Sequence, residues 1–225
     1  MSGRESSPQE VAITGLGLIS PLGDRLEDFE AALAQGAARF VAPACLAGGE
    51  LEGGLAAELP GFEPGRYLGE GNFRPLDRTG LLASSAARLA LDDAGLGTGD
   101  DGREVGLALG TMFGSLHTIS EFDRRGQTEG PIYAKPMDFA NSVINAAAGQ
   151  AAIWHHLTGV NATVTGGFGA GLAALGYAAD LVAWGHAPAL LAGGADELAL
   201  ESYLGFERQG RVAPLGREPR PFDAA

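Results

Sequence analysis

Residues 163–174, TVTGGFGAGLAA, are where residue types and spacing come closest to a catalytic arrangement. A β-favouring run gives way to glycine and then to a Gly/Ala-rich helix former, the pattern of a strand turning tightly into a helix. Two chemistries suit such a turn. In the first, Gly169, Gly171 and Ala174 fit G-x-G-x-x-A, whose free amides bind a pyrophosphate. Asp196 would then take a ribose hydroxyl from about 20 residues further on, after the next apolar run. In the second, Gly166, Gly167, Phe168, Gly169 and Gly171 form a nucleophile elbow. Small neighbours let one side chain stand at a helix N-terminus, where the dipole and free amides stabilise an anion. The apex residue is Phe168, and a phenyl ring has neither a lone pair to attack with nor a proton to exchange. The elbow geometry is expected without its chemistry.

The remaining reactive groups are scattered. His117, His155, His156 and His186 lie in no HExxH or His/Cys cluster, and the adjacent pair 155–156 points about 100° apart on a helix, wrong for a shared ligand. They read as structural or surface residues, and no metal site is expected. Asp92–Asp93 and Asp196–Glu197 are likewise adjacent rather than facing, so neither is an acid/base pair. Cys45 is the single cysteine. It falls in a Gly/Ala-rich loop at 42–54, without a disulfide or ligand companion, and reads as an incidental thiol.

Several elements are needed to position the 163–174 turn. Short apolar runs at 11–15, 105–110, 161–165 and 189–192 read as strands. Helical periodicity covers 26–35 with Asp24 as cap, 77–93 with Asp77 as cap, 116–125, 142–157 and 171–184. In the fourth of these helices Val143, Ala147, Ala151 and Trp154 share a face, suited equally to a partner or to the domain's own core. Strands alternating with helices predict an α/β domain with parallel neighbours in the sheet. Residues 37–76 read as a long irregular excursion, and 205–225 as a segment with no closing element.

Composition narrows the function classes. Hydrophobic residues are 45% and charged residues 19% of 225, globular rather than disordered values. A chain of this length buries roughly 70% of its unfolded surface, enough for one core. The expected organisation is a polar tail over residues 1–10 and one domain over 11–225. The 36 glycines follow no G-X-Y period, so they belong at turns and close contacts. Fifteen basic residues, with Lys135 the only lysine, face 28 acidic ones for a net charge of −13. That balance argues against a nucleic-acid partner, whose binding is driven by Lys and Arg. Neither a signal peptide nor a membrane span is apparent, which suggests a cytoplasmic protein.

Taken together, 11–23 (VAITGLGLISPLG), 77–96 (DRTGLLASSAARLALDDAGL), 105–116 (VGLALGTMFGSL), 139–159 (FANSVINAAAGQAAIWHHLTG), 161–175 and 191–198 (LAGGADEL) resemble the β-ketoacyl-acyl-carrier-protein synthase family. Their order is similar to that of the family's N-terminal half, and the phrase at 220–223, RPFD, resembles one these enzymes carry midway. The resemblance implies a thiolase-type α/β fold with a mixed, mostly parallel sheet flanked by helices. It also implies that Phe168 stands where family members carry the acyl-accepting cysteine. The family's catalytic histidines belong to its C-terminal half, and no histidine of this chain matches them.

A cysteine-free relative of this kind resembles the chain-length-factor subunits, which pair with an active ketosynthase and shape the product tunnel. The resemblance implies a heterodimer with a cysteine-bearing ketosynthase, or a homodimer, with no cofactor. Its interface would run through the helix at 141–157 and the strand at 161–165, the latter pairing antiparallel with the partner's copy. Asn141, Asn145, Gln150, Thr163, Val164 and Thr165 are the expected interface residues. Acyl carrier proteins are acidic, so with a net charge of −13 carrier contact is expected on the partner rather than here. Two alternatives remain: a ketosynthase-like pseudoenzyme or partial gene product without a partner, and a dinucleotide-binding α/β domain.

Overall fold

The structure, a computed structural model, describes residues 7–47, 51, 53–59, 61–97 and 104–219. The phrase at 220–223 lies outside the described residues, as does most of the N-terminal tail. The helices are α1 (Leu26–Ala34), α2 (Gly65–Leu68), α3 (Arg78–Asp93), α4 (Leu116–Thr128), α5 (Pro136–Ala140), α6 (Ala146–Trp154), α7 (Ala170–Ala183) and α8 (Leu200–Arg208). The strands are β1 (Val105–Gly110), β2 (Asn161–Val164) and β3 (Ala189–Gly194). Two compact units result, one from Met1–Leu18 and Pro64–Glu197, the other from Ile19–Glu63 and Leu198–Ala225.

The first unit holds the sheet, ordered β2-β1-β3 and parallel throughout, with Gly110 in register with both Val164 and Gly194. Alternation along β1 sends Leu107 and Leu109 to one face, where they pack with Ala83, Ala147, Ala148 and Ala151 of α3 and α6. Ala108 faces the other way, against Ala174 and Ala178 of α7. All six β1 residues are buried, as expected for a central parallel strand covered by helices on both sides. The α/β architecture expected from the alternating pattern is the one observed.

The expected N-terminal strand at 11–15 is not a strand. Among the described residues no strand lies alongside to take its ladder bonds, and Val11 and Ile13 stay 43% and 70% exposed. The segment is held instead by Gln9 N–H donating to the Ala183 carbonyl and Leu16 N–H donating to Asp93 Oδ2, 2.8 Å each. Gly15 permits close passage over α3, since a Cβ there would come within 2.5 Å of the Ala90 carbonyl oxygen.

Helix boundaries follow their caps. Asp77 caps α3 as expected, accepting from Gly80 N–H at 2.8 Å. Arg25, not Asp24, is the N-cap residue of α1, without a side-chain cap bond. The expected helix at 142–157 is shorter, because residues 141–145 form turns between α5 and α6. Ala147 and Ala151 of the expected face are therefore buried at 2% and 0%, whereas Val143 is outside the helix and 52% exposed.

In the second unit, Val41 and Ala56 form an antiparallel bridge, and α8 buries Ser202 and Tyr203. The sequence reading did not expect this helix, which runs into the 205–225 segment read as having no closing element. Its N-terminus is closed locally, with Ser202 Oγ donating to the Ala199 carbonyl and accepting from the Ala199 N–H. Cys45 lies in this unit, in a 3₁₀ turn at Ala44–Leu46. Burial and the nearby Glu58 carboxylate push its thiol pKa above the ordinary value, the opposite of an activated nucleophile.

Candidate functional site

Because the three strands are parallel, their carboxyl ends share one edge of the sheet, the edge where α/β folds place their chemistry. There Thr111 N–H donates to the Val164 carbonyl at 3.0 Å and Ala195 N–H to the Gly110 carbonyl at 3.1 Å. The segments after β1, β2 and β3 are thereby laced together.

The segment after β2 is the expected sharp turn. Gly167 has φ +63°, a left-handed conformation that suits glycine, and opens a 3₁₀ turn over Gly167–Gly169 that runs into α7. Phe168 stands at the head of α7 with 73% of its surface exposed. Gly169 is the helix's N-cap residue. Three further glycines let α7 start this close to the sheet. A Cβ at Gly110 would overlap the carbonyl carbon and oxygen of Ala170, and one at Gly194 would stand 3.0 Å from the Cα of Gly171. Backbone therefore packs on backbone where α7 meets β1 and β3.

Along α7, Ala170, Ala174 and Ala178 face the sheet at i, i+4 and i+8 and are buried. Leu172 and Leu175 are 78% and 41% exposed on other sides of the helix. No nucleophile stands at the apex. The chain's single thiol, Cys45, belongs to the other compact unit. Among the described residues no group of three His, Cys, Asp or Glu side chains is placed to hold a metal ion.

Asp196 corrects the dinucleotide reading. Its Oδ1 accepts from Thr111 Oγ1 at 2.7 Å and Phe113 N–H at 3.0 Å, and its Oδ2 from Met112 N–H at 3.0 Å. A carboxylate engaged by three donors of the neighbouring loop is not presented to a ribose. The neighbouring Glu197 accepts from His117 N–H near the start of α4 at 3.2 Å. Sequence reasoning noticed Asp196 but assigned it the wrong duty, and it missed Thr111 altogether.

The histidines stay apart. His155 is 1% exposed, and its Nε2 lies 2.7 Å from the Ser84 carbonyl, so that nitrogen carries the hydrogen and joins the end of α6 to α3. Burial pushes its pKa below the ordinary value, against the opposing effect of the Ser84 bond. His156, His117 and His186 are exposed. Of the adjacent carboxylates on α3, Asp92 pairs with Arg88 at 2.8 Å and Asp93 anchors Leu16.

The expected interface residues divide. Asn141 is 5% exposed and donates through Nδ2 to the Pro75 carbonyl at 2.9 Å, so it pins two segments of its own unit. Asn145 and Thr165 are exposed, and Gln150, Thr163 and Val164 are half-buried. Val164 packs toward α7. Among the described residues β2 pairs only with β1, leaving its outer edge open.

This arrangement, a parallel sheet whose second strand turns through glycines into a sheet-packed helix, agrees with the family comparison. Residues 8–225 match the beta-ketoacyl synthase N-terminal domain, and the chain belongs to that family. It is 31% identical over 189 residues to the 3-oxoacyl-[acyl-carrier-protein] synthase 2 of Coxiella burnetii, covering 84% of this chain and 46% of that protein. It is also 31% identical over 232 residues to a putative polyketide beta-ketoacyl synthase 2 of Streptomyces halstedii, covering 98% of this chain and 54% of the relative. Among solved structures, the ishigamide ketosynthase/chain length factor superposes with a TM-score of 0.79 at 30% identity, over 90% of this chain and 51% of that one. The chain thus spans about half the length of these relatives. The thiolase-type fold implied by the sequence resemblance is the one found.

Proposed function

We propose that this chain is a ketosynthase-like subunit of the chain-length-factor type. It performs no condensation itself and pairs with a cysteine-bearing β-ketoacyl synthase in fatty-acid or polyketide chain elongation. One observation carries the reading: Phe168 occupies the apex of an elbow at the head of α7. Its ring supplies no nucleophile, and the glycines around it keep the geometry in which a nucleophile would work. An apolar ring there can accept no acyl group, which leaves the partner's elbow as the working one. The ishigamide ketosynthase/chain length factor, to which the fold is similar, supports the same class of assembly.

Pairing would use the open edge of β2, with Asn145, Gln150 and Thr165 near the contact, because an unpaired edge strand invites a partner. A cytoplasmic setting accords with this role. Among the described residues no helix is long and apolar enough to cross a membrane. The net charge of −13 would repel an acidic carrier protein, which supports docking mainly on the partner.

Co-expression with a cysteine-bearing ketosynthase, followed by size exclusion with light scattering, tests the proposal. A stable one-to-one complex is the expected outcome. A chain that stays monomeric or aggregated with every ketosynthase offered would leave the partnerless pseudoenzyme or partial gene product as the better account.

A further inference from the structure

The Phe168 elbow shares its edge of the sheet with the loop 111–114, whose backbone is tied at every residue. Thr111 N–H donates to the Val164 carbonyl. Met112 and Phe113 N–H both donate to the Asp196 carboxylate, at 3.0 Å each. Gly114 N–H donates to Thr111 Oγ1 at 2.9 Å, and that hydroxyl passes its own hydrogen to Asp196 Oδ1 at 2.7 Å.

The far end is closed as well. Gly114 has φ +59°, a Cβ there would stand 2.8 Å from Ile144 Cδ1, and its carbonyl accepts from Thr79 Oγ1 at 3.0 Å. Three amides thus donate to one carboxylate and one strand end and the fourth to the Thr111 hydroxyl, whereas the side chains of Met112 and Phe113 remain partly exposed. A fixed backbone presenting two apolar side chains is what a size-selecting wall requires. Charge-assisted bonds to an ionised carboxylate hold it more firmly than neutral ones would.

We propose that Asp196 is a positioning residue for chain-length selection, its carboxylate locking the 111–114 loop beside the Phe168 elbow. Met112 and Phe113 then form a fixed apolar wall against the acyl chain that the partner extends. This rests on the chain-length-factor reading above and assigns part of its selectivity to one side chain that would not touch substrate. Glu197, which accepts from His117 N–H, steadies the helix that follows the loop.

The test uses the full chain co-purified with a ketosynthase and supplied with acyl and malonyl thioesters of a carrier protein, products being read by mass spectrometry. In Asp196→Ala, hydrogen exchange at Met112 and Phe113 should rise about 10- to 100-fold, the factor for losing a bond to a charged acceptor. The rest of the sheet should exchange as before, the complex should keep its mass, and the product lengths should broaden. Thr111→Val should free the Gly114 amide and broaden the products less, and Thr111→Ser, which keeps the hydroxyl, should restore the unaltered pattern. Unchanged exchange at 112–113, or faster exchange with unchanged product lengths, overturns the proposal alone. Failure of the unaltered chain to form a complex overturns the chain-length-factor reading and this one with it.

Discussion

Substituting Gly110→Ala tests how closely α7 must sit on the sheet to form the elbow. A Cβ at Gly110 would overlap the Ala170 carbonyl and stand 2.5 Å from Gly171 N, where ordinary contact begins at 3.4 Å. Relief requires the first turn of α7 to lift by about 1 Å, a gap that forfeits roughly a quarter to a half of the dispersion energy across the contact. The contacts at risk join Ala108 with Ala174 and Ala178, all at 5% exposure or less. Overpacking of this kind costs ~1–3 kcal/mol, and with the loosened α7 packing the expected loss is about 3 kcal/mol. At a urea dependence of ~2 kcal/mol per molar, the unfolding midpoint should fall by about 1.5 M. Gly126, inside α4, is the control, because a Cβ there meets nothing within 4 Å. Gly126→Ala should therefore be stabilising by ~0.5–1 kcal/mol. A Gly110→Ala midpoint equal to that of the unaltered chain would refute the close-packing argument.

Three further substitutions test other parts of the structure. His155 has a folded-state pKa below its ordinary value of 6.5 because it is buried, so the unfolded chain binds the extra proton first. Stability should thus be constant above about pH 6.5 and decline as pH falls from there toward the folded pKa, and denaturation at stepped pH should lose that slope in His155→Gln. An equal slope in the variant would show that another group is responsible. Phe168→Cys should place a thiol that iodoacetamide alkylates faster than Cys45, whose own pKa is raised, because the new thiol lies exposed at a helix N-terminus. The same variant, without a partner, should form no carbon–carbon bond, and detected condensation would contradict the assignment of chemistry to the partner. Trp154 stacks on Phe73 with centroids 5.3 Å apart and fills the space over Gly71. Trp154→Ala should cost about 2 kcal/mol in urea unfolding, below the ~3–5 kcal/mol of a fully buried aromatic because Trp154 is only half-buried.

What was legible in the sequence follows from which interactions are local. The elbow could be read from residues 163–174 because a strand, a glycine turn and a small-residue helix are each short-range patterns, and Gly167 takes the positive φ the turn requires. The Asp77 cap was legible for the same reason. The Asp196 tether was not, since its donors at 111–113 are more than 80 residues away in sequence and no spacing rule links them. The bond from Asn141 to the Pro75 carbonyl was not legible either, since the two residues are 66 positions apart and no local pattern joins them. The apolar run at 11–15 has strand propensity, but a strand forms only where another edge accepts it.

The mass of the complex is the most direct test of the central claim that Phe168 marks a subunit working through a partner. Light scattering after size exclusion, on this chain alone and co-expressed with a cysteine-bearing ketosynthase, should show a stable one-to-one heterodimer, with acyl label from a charged carrier protein on the partner alone. A chain that ignores every ketosynthase offered, or that takes up the acyl label itself, would contradict the account.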